Sequence, residues 1–312
     1  MDDIKKLIAD EKYDDALKKL LLIEGEYLLK IQCLYELQKY TELVTFFEQV
    51  VDKIENNYFE ILGFYILSLI ELEEFDRALM TLNEELSMPY IQDNYEEVLN
   101  NLYDDVLAKK QAFLVESGVY NIKLSDEEII EVLLGDSEYE DKLNVVMQLE
   151  DYNIRAILSE LETFLQSDNS PVLKTFILEL MIKQQISDVI LIYKNDLEFE
   201  YLPNANQLVF QDINYHATKD LLEDHLAKYP SYLNMCLDVL DMLVYIIYPQ
   251  VIDYDETNYY AALIEYYVFS LNIDDLSDDF ESYYTVDLKE IISNVDMLIA
   301  LLESEEKYVK LI

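Results

Sequence analysis

Glycine and proline are scarce, with four and five residues in a chain of 312. All-β folds draw on both for their turns, so this shortage excludes them and points to helices joined by short connections. The glycines also stand apart, the nearest two being Gly118 and Gly135, 17 residues from each other. A phosphate loop, a dinucleotide fingerprint or a nucleophile elbow needs glycines within a few residues, and none can be present. Tryptophan is absent. The two cysteines, Cys33 and Cys236, lie far apart inside apolar helical patterns. That excludes a disulfide framework and a zinc ribbon, and it fits a reduced cytosolic setting. Positive charge is short too: 22 Lys and Arg stand against 65 Asp and Glu, a net charge of −43. Residues 231–312 hold 17 acids against Lys289, Lys307 and Lys310. Such a field repels nucleic acid and anionic membranes and favours basic partners. The favoured reading of the charge itself is a soluble, self-repelling surface. The most apolar stretch, Met242 to Ile252, is about half a membrane span and is broken by Pro249. The charged start, Met1-Asp2-Asp3-Ile4-Lys5-Lys6, shows no secretory signal. The expectation is a soluble, cytoplasmic protein.

Hydrophobic residues make up 52%, enough for a large core despite the charge. The length suits about two domains or one long helical array. Three times an aromatic opens a helix-like segment with a small or apolar residue three places on: Tyr13-Asp14-Asp15-Ala16, Tyr40-Thr41-Glu42-Leu43 and Phe75-Asp76-Arg77-Ala78. The apolar spacing from Ile4 to Leu86 predicts helices near 3–10, 14–23, 26–38, 41–54, 57–72 and 76–86. On these residues the chain resembles the tetratricopeptide (TPR) repeat. Tyr27, Leu34, Tyr40, Phe47 and Val50 stand where that family places packing residues, as do Leu62, Leu69, Phe75, Ala78 and Leu82. The departures are Ile31 and Ile66 in place of the small residue, the lack of a closing Pro, and spacings of 27 and 35 residues against about 34.

Pro89 ends the third unit, and Tyr95 to Val115 predicts one long capping helix stopped by Ser117-Gly118. This gives a first domain over 1–118 and a second over 119–312. The second opens on Ser125-Asp126-Glu127-Glu128, a capping box. Helices are predicted near 126–134, 138–149 and 153–166, with another beginning at Ser170-Pro171 as N-cap and first helical residue. Tyr152 and Ile186, 34 residues apart, suggest a further diverged repeat pair. Residues 188–202 then read as a β-hairpin, because Leu197, Phe199 and Tyr201 alternate with Glu198 and Glu200 and Asn195-Asp196 suits the turn. An irregular loop to about Tyr215 precedes helices near 217–228, 230–247, 257–272 and 286–302, with Asp274 to Tyr284 as an acidic connection. The fold class is therefore all-α: a TPR-like superhelix, then a second helical domain with a small hairpin. Pro171-Val172-Leu173-Lys174-Thr175, Gln184-Gln185, the hairpin and Pro203 also resemble a two-part family of low-GC Gram-positive bacteria, a resemblance that implies architecture and no activity.

Candidate chemistry is thin. His216 and Asp220 stand one helical turn apart and could share a metal or act as an acid–base pair, but surface residues of a capped amphipathic helix are the favoured reading. His225 falls on another part of that helix. Asp274, Asp275, Asp278, Asp279 and Glu281 offer oxygens, but without EF-hand spacing or its turn glycine. No cofactor or metal is expected, and the chain is expected not to be an enzyme. The 27 tyrosines cluster as Tyr259-Tyr260, Tyr266-Tyr267 and Tyr283-Tyr284. Neighbours on a helix point about 100° apart, so part of each doublet must reach an interface or the surface. The TPR resemblance implies that the first helix of each unit lines a concave face, exposing Gln32, Tyr35, Glu36, Leu67, Ile70 and Glu71. Such a groove suits a basic or amphipathic peptide and lacks the basic clamp for a partner's C-terminal carboxylate. The expected role is a protein-interaction scaffold. The alternatives are an acidic nucleic-acid mimic or, less favoured, a metal-dependent enzyme.

Overall fold

The computed structural model describes residues 1–88, 91, 93–116, 124–272, 276–306 and 308. Among these, helices are joined by short connections and the only sheet is a two-stranded antiparallel hairpin. The chain divides into two compact units, residues 1–122 with 151–153, and residues 123–150 with 154–312.

The first unit contains α1 (Asp2–Ala9), α2 (Tyr13–Leu20), α3 (Tyr27–Glu36), α4 (Tyr40–Val50), α5 (Tyr58–Glu71), α6 (Phe75–Leu86) and α7 (Asp93–Glu116). The three repeated aromatics are the first residues of α2, α4 and α6. What precedes them is one turn used three times. Glu11, Gln38 and Glu73 take left-handed φ angles of 59°, 57° and 61°. The next amide reaches back in each case, Lys12 N to Leu7 O, Lys39 N to Leu34 O and Glu74 N to Leu69 O, at 2.8 to 2.9 Å. The left-handed residues themselves donate to Ile8, Tyr35 and Ile70. This is the Schellman closure, which satisfies orphan carbonyls at a helix end and turns the chain back. Ala16, Leu43 and Ala78 then lie wholly buried one turn into the second helices. Ile31 and Ile66 are wholly buried as well, so large aliphatics fill the interface where the TPR pattern has small residues.

Packing follows the chain. α3 touches α2, α4 and α5; α5 touches α3, α4, α6 and α7; α6 touches α7. First helices thus lie side by side, α3 on α5 and α5 on α7, and α7 holds the place of a further first helix. Phe47 stacks on Tyr65 with ring centres 4.2 Å apart, pinning α4 to α5.

The second unit contains α8 (Asp126–Leu134), α9 (Tyr139–Gln148), α10 (Leu158–Gln166), α11 (Pro171–Lys183), β1 (Ile190–Lys194), β2 (Leu197–Tyr201), α12 (Ile213–His225), α13 (Pro230–Ile247), α14 (Thr257–Asn272), α15 (Phe280–Tyr284) and α16 (Leu288–Glu306). Ser125 and Glu128 form the expected reciprocal capping box, and Ser170 Oγ accepts the Leu173 amide with Pro171 at the first helical position. α11 is the hub, packed against α9, α10, α13 and α16. It ends in the same closure as the repeats, with Gln185 at φ 55°. A strand follows it, however, and Tyr152 stands between two 3-10 turns, so Tyr152 and Ile186 do not mark equivalent junctions. Asn195 and Asp196, at φ 53° and 62°, make the primed turn that a two-residue hairpin loop requires.

Three elements depart most from expectation. α10 starts at Leu158, five residues late, because the 3-10 turn Ile154–Ile157 precedes it. α12 starts four residues early because Asp212 accepts the Asn214 and Tyr215 amides at 2.9 and 3.0 Å. The acidic connection contains the short helix α15. Among the described residues α13 alone is long and apolar enough to cross a membrane. It carries Asp238 and Asp241, buries Cys236, Leu240, Leu243, Val244 and Ile246, and packs on four other helices.

Candidate functional site

The first helices of the repeats bring Tyr35, Glu36 and Glu71 into one patch. The Tyr35 ring lies 5.2 Å from Phe64 of α5 and 5.6 Å from Tyr40. Burial raises the pKa of the Tyr35 phenol, and Tyr40, Glu71 and Glu36 raise it further. Tyr40 is raised by burial and then by the same two carboxylates, and Tyr13 by burial and then Glu36. Glu36 and Glu71 are exposed, and neither has an ion-pair partner among the described residues. Gln32 and Leu67 are half-buried on the same two helices. Ile70 departs from the expected exposure. It is only 8% exposed and belongs to the core, because α5 is flanked by four helices and keeps only a narrow free stripe, on which Leu67 and Glu71 stand one turn apart. Lys30, on α3, is committed to its own unit: its ammonium donates to Ile23 O at 2.7 Å and sits 5.8 Å from the Tyr27 ring centre.

A second polar centre lies in the second unit around His225. His225 Nδ1 is 2.7 Å from Glu265 Oε2, which also accepts the Tyr284 hydroxyl at 2.6 Å. Nε2 is 3.2 Å from Ser277 Oγ and 3.6 Å from Asp279, and the ring stacks on Tyr283 at 4.4 Å. Serine, histidine and glutamate in that order have the connectivity of a nucleophilic triad. The surroundings argue for a clamp instead. The Ser277 hydroxyl is shared with the Asp279 carboxylate, which also stands beside the nitrogen that would take a nucleophile's proton. The chain of bonds instead ties α12 to α14 and α15. His216 and Asp220, the pair singled out in the sequence, are both exposed, and the His216 ring rests 5.2 Å from Tyr215. The sequence signal for the real centre was Glu265, a single acid after the apolar run Ala261–Ile264.

The third centre is built on α11, β1 and the end of α13. Lys194 is 2% exposed, and its ammonium donates to Tyr245 O at 2.8 Å, Tyr248 O at 2.6 Å and Thr175 Oγ1. It thereby caps carbonyls that the end of α13 leaves free. Burial drives its pKa well below the ordinary lysine value, while three acceptors occupy all three N–H directions and leave no approach for a substrate. Lys174, also buried, donates to Ser167 O and Tyr193 O. Glu179 accepts the Tyr245 hydroxyl at 2.8 Å and the Val209 amide at 3.1 Å, and the Tyr201 and Tyr248 hydroxyls bond each other. Many tyrosine tips are therefore internal hydrogen-bonding groups. Of the doublets only one splits, with Tyr284 buried and Tyr283 half-buried; in Tyr259-Tyr260 and Tyr266-Tyr267 both members are half-buried.

The remaining candidates offer little chemistry. Burial pushes the Cys33 thiol up to about 11 and, with Glu265, the Cys236 thiol up to about 12, so neither is a thiolate at neutral pH. Asp274 and Asp275 of the acidic cluster lie outside the described residues. Glu281 accepts the Leu288 amide at 2.9 Å and so caps α16. Among the described residues no group of three His, Cys, Asp or Glu is arranged to hold a metal ion. An open polar cleft of ≈ 300 Å³ near Tyr139 and Ser170 contains Lys142, whose ammonium donates to Asn169 at 3.0 Å and lies over the Phe164 ring. No protein-family model and no curated protein matches this chain.

Proposed function

We propose that this chain is a non-catalytic docking protein of the reduced cytosol. A basic or amphipathic segment of a partner protein lies across the first helices of its stacked hairpins. One observation carries the reading: Glu36 and Glu71, on adjacent helices and without ion-pair partners among the described residues, flank the half-buried Tyr35–Phe64 pair. Aromatic faces beside uncompensated carboxylates attract a cation that brings apolar contact with it. The net charge of −43 supports the same choice by steering basic segments toward the surface. The stacked closures at Glu11, Gln38 and Glu73 support reading the unit as a diverged relative of TPR domains.

Because the chain has no tryptophan, binding of a Trp-bearing amphipathic basic peptide can be followed by the peptide's own emission. The expected outcome is a blue shift and saturable binding to the full chain, weakened by salt and lost at least about tenfold in the Tyr35→Ala, Glu71→Lys double variant. Equal binding by that variant would refute the assignment of the site.

A further inference from the structure

The hairpin has two edges treated in opposite ways. In the ladder, Ile190, Ile192 and Lys194 face Tyr201, Phe199 and Leu197, and the outward main-chain groups fall to the residues between them. On β1 that edge is closed by side chains. The Leu191 amide donates to the Glu162 carboxylate at 3.3 Å, and the Lys174 ammonium donates to the Tyr193 carbonyl. On β2 the outward groups belong to Glu198 and Glu200, and among the described residues they meet no hydrogen-bond partner. Strand β2 is therefore an open edge in a helical protein.

The side chains along that edge specify an occupant. Glu198 and Glu200 are exposed on the same sheet face as Tyr193 and Leu191, their cross-strand neighbours. Phe199 is half-buried and Leu197 45% exposed on the other face. A second copy pairing through β2 would set these carboxylates against their equivalents, and directly opposed like charges destabilise a sheet. Acidic edge residues hold off self-pairing for this reason. A strand with Lys or Arg at alternate positions meets both carboxylates, and the apolar residues between them lie beside Leu197 and Phe199.

We propose that the β2 edge binds, by strand addition, an extended segment of another protein with alternating basic and apolar residues. This surface is independent of the helical docking face, and each can fail without the other.

A short labelled peptide of alternating Lys and Val, added to the full chain, tests the proposal by anisotropy and by hydrogen exchange. The expected result is binding that slows exchange at the Glu198 and Glu200 amides. Binding should fall at least about tenfold in the Glu198→Lys, Glu200→Lys variant, with the helical circular dichroism unchanged. A peptide of identical charge, N-methylated at the amides that would join the ladder, should not bind. Equal binding by the methylated peptide, or unaltered exchange at the two amides, would overturn strand addition. Tyr35→Ala should leave this binding intact; its loss there would assign the peptide to the helical face and overturn the β2 site.

Discussion

Lys194 shows how a single residue can organise part of a fold. Ile190, Ile192 and Lys194 share one face of β1, so the alternation that buries two isoleucines buries the lysine with them. A buried ammonium is tolerable only when each proton has an acceptor, and the end of α13 supplies two carbonyls beside the Thr175 hydroxyl. Lys194→Met keeps similar bulk but takes from the Tyr248 carbonyl its donor and leaves the Tyr245 carbonyl only the Thr175 hydroxyl. Its expected cost is about 3 to 5 kcal/mol, read as a lowered urea midpoint with unchanged slope. A loss under about 1 kcal/mol would contradict the capping role. Neither the lysine's burial nor its partners were legible: Val189 to Tyr193 are apolar throughout, so Lys194 reads as the start of the turn, and the partners lie 51 and 54 residues away. Ile70 was misplaced for a related reason. Periodicity marks a helix's apolar stripe, whereas the width of that stripe depends on how many neighbours cover it.

At the scale of the element, the repeat is defined by its turns more than by its helices. Glu11, Gln38 and Glu73 each accept a left-handed backbone that costs a residue with a Cβ about 1 kcal/mol. Gln38→Gly removes that cost and should stabilise the chain by about that amount. Gly63→Ala, in the middle of α5 where a Cβ meets nothing within 4 Å, should add about 0.5 to 1 kcal/mol. Both would appear as raised melting temperatures, and a fall in either would deny the local geometry. Elements with strong punctuation were legible: Ser125 opens α8, Ser170-Pro171 opens α11, Pro230 opens α13, and Asn-Asp turns the hairpin. α15 was hidden because five residues inside an acidic stretch cannot display a period. The start of α12 was hidden because Asp212 caps from within a segment that reads as loop.

At the scale of the molecule, tyrosine does the work that tryptophan does elsewhere, and this ties stability to alkaline pH. Burial, joined by Glu305, pushes Tyr139 up to about 12. Burial with Asp241 raises Tyr215, burial with Glu179 raises Tyr245, and burial with Glu265 raises Tyr284. In the unfolded chain these phenols ionise near 10, so above that pH the folded state holds more protons and stability falls as pH rises. Absorbance at high pH should show exposed tyrosines ionising first and the internal group ionising together with the loss of helical circular dichroism. Smooth ionisation of all tyrosines with helix intact would contradict the internal bonding. The acidic field and missing glycines were plain in the sequence and narrowed the possible functions. The two internal polar centres, around His225 and Lys194, were not, because each joins residues distant in the chain.

The central claim, docking across the first helices, is tested most directly by site-specific photo-crosslinking in native extract. A photoreactive side chain at Leu67, half-buried on the docking face, is compared with one at Met80, exposed on the second helix of the same hairpin. The expected result is crosslinks to basic protein segments from position 67, absent from position 80 and abolished by Glu71→Lys. Equal capture from both positions, or capture at 67 that ignores Glu71→Lys, would contradict the claim.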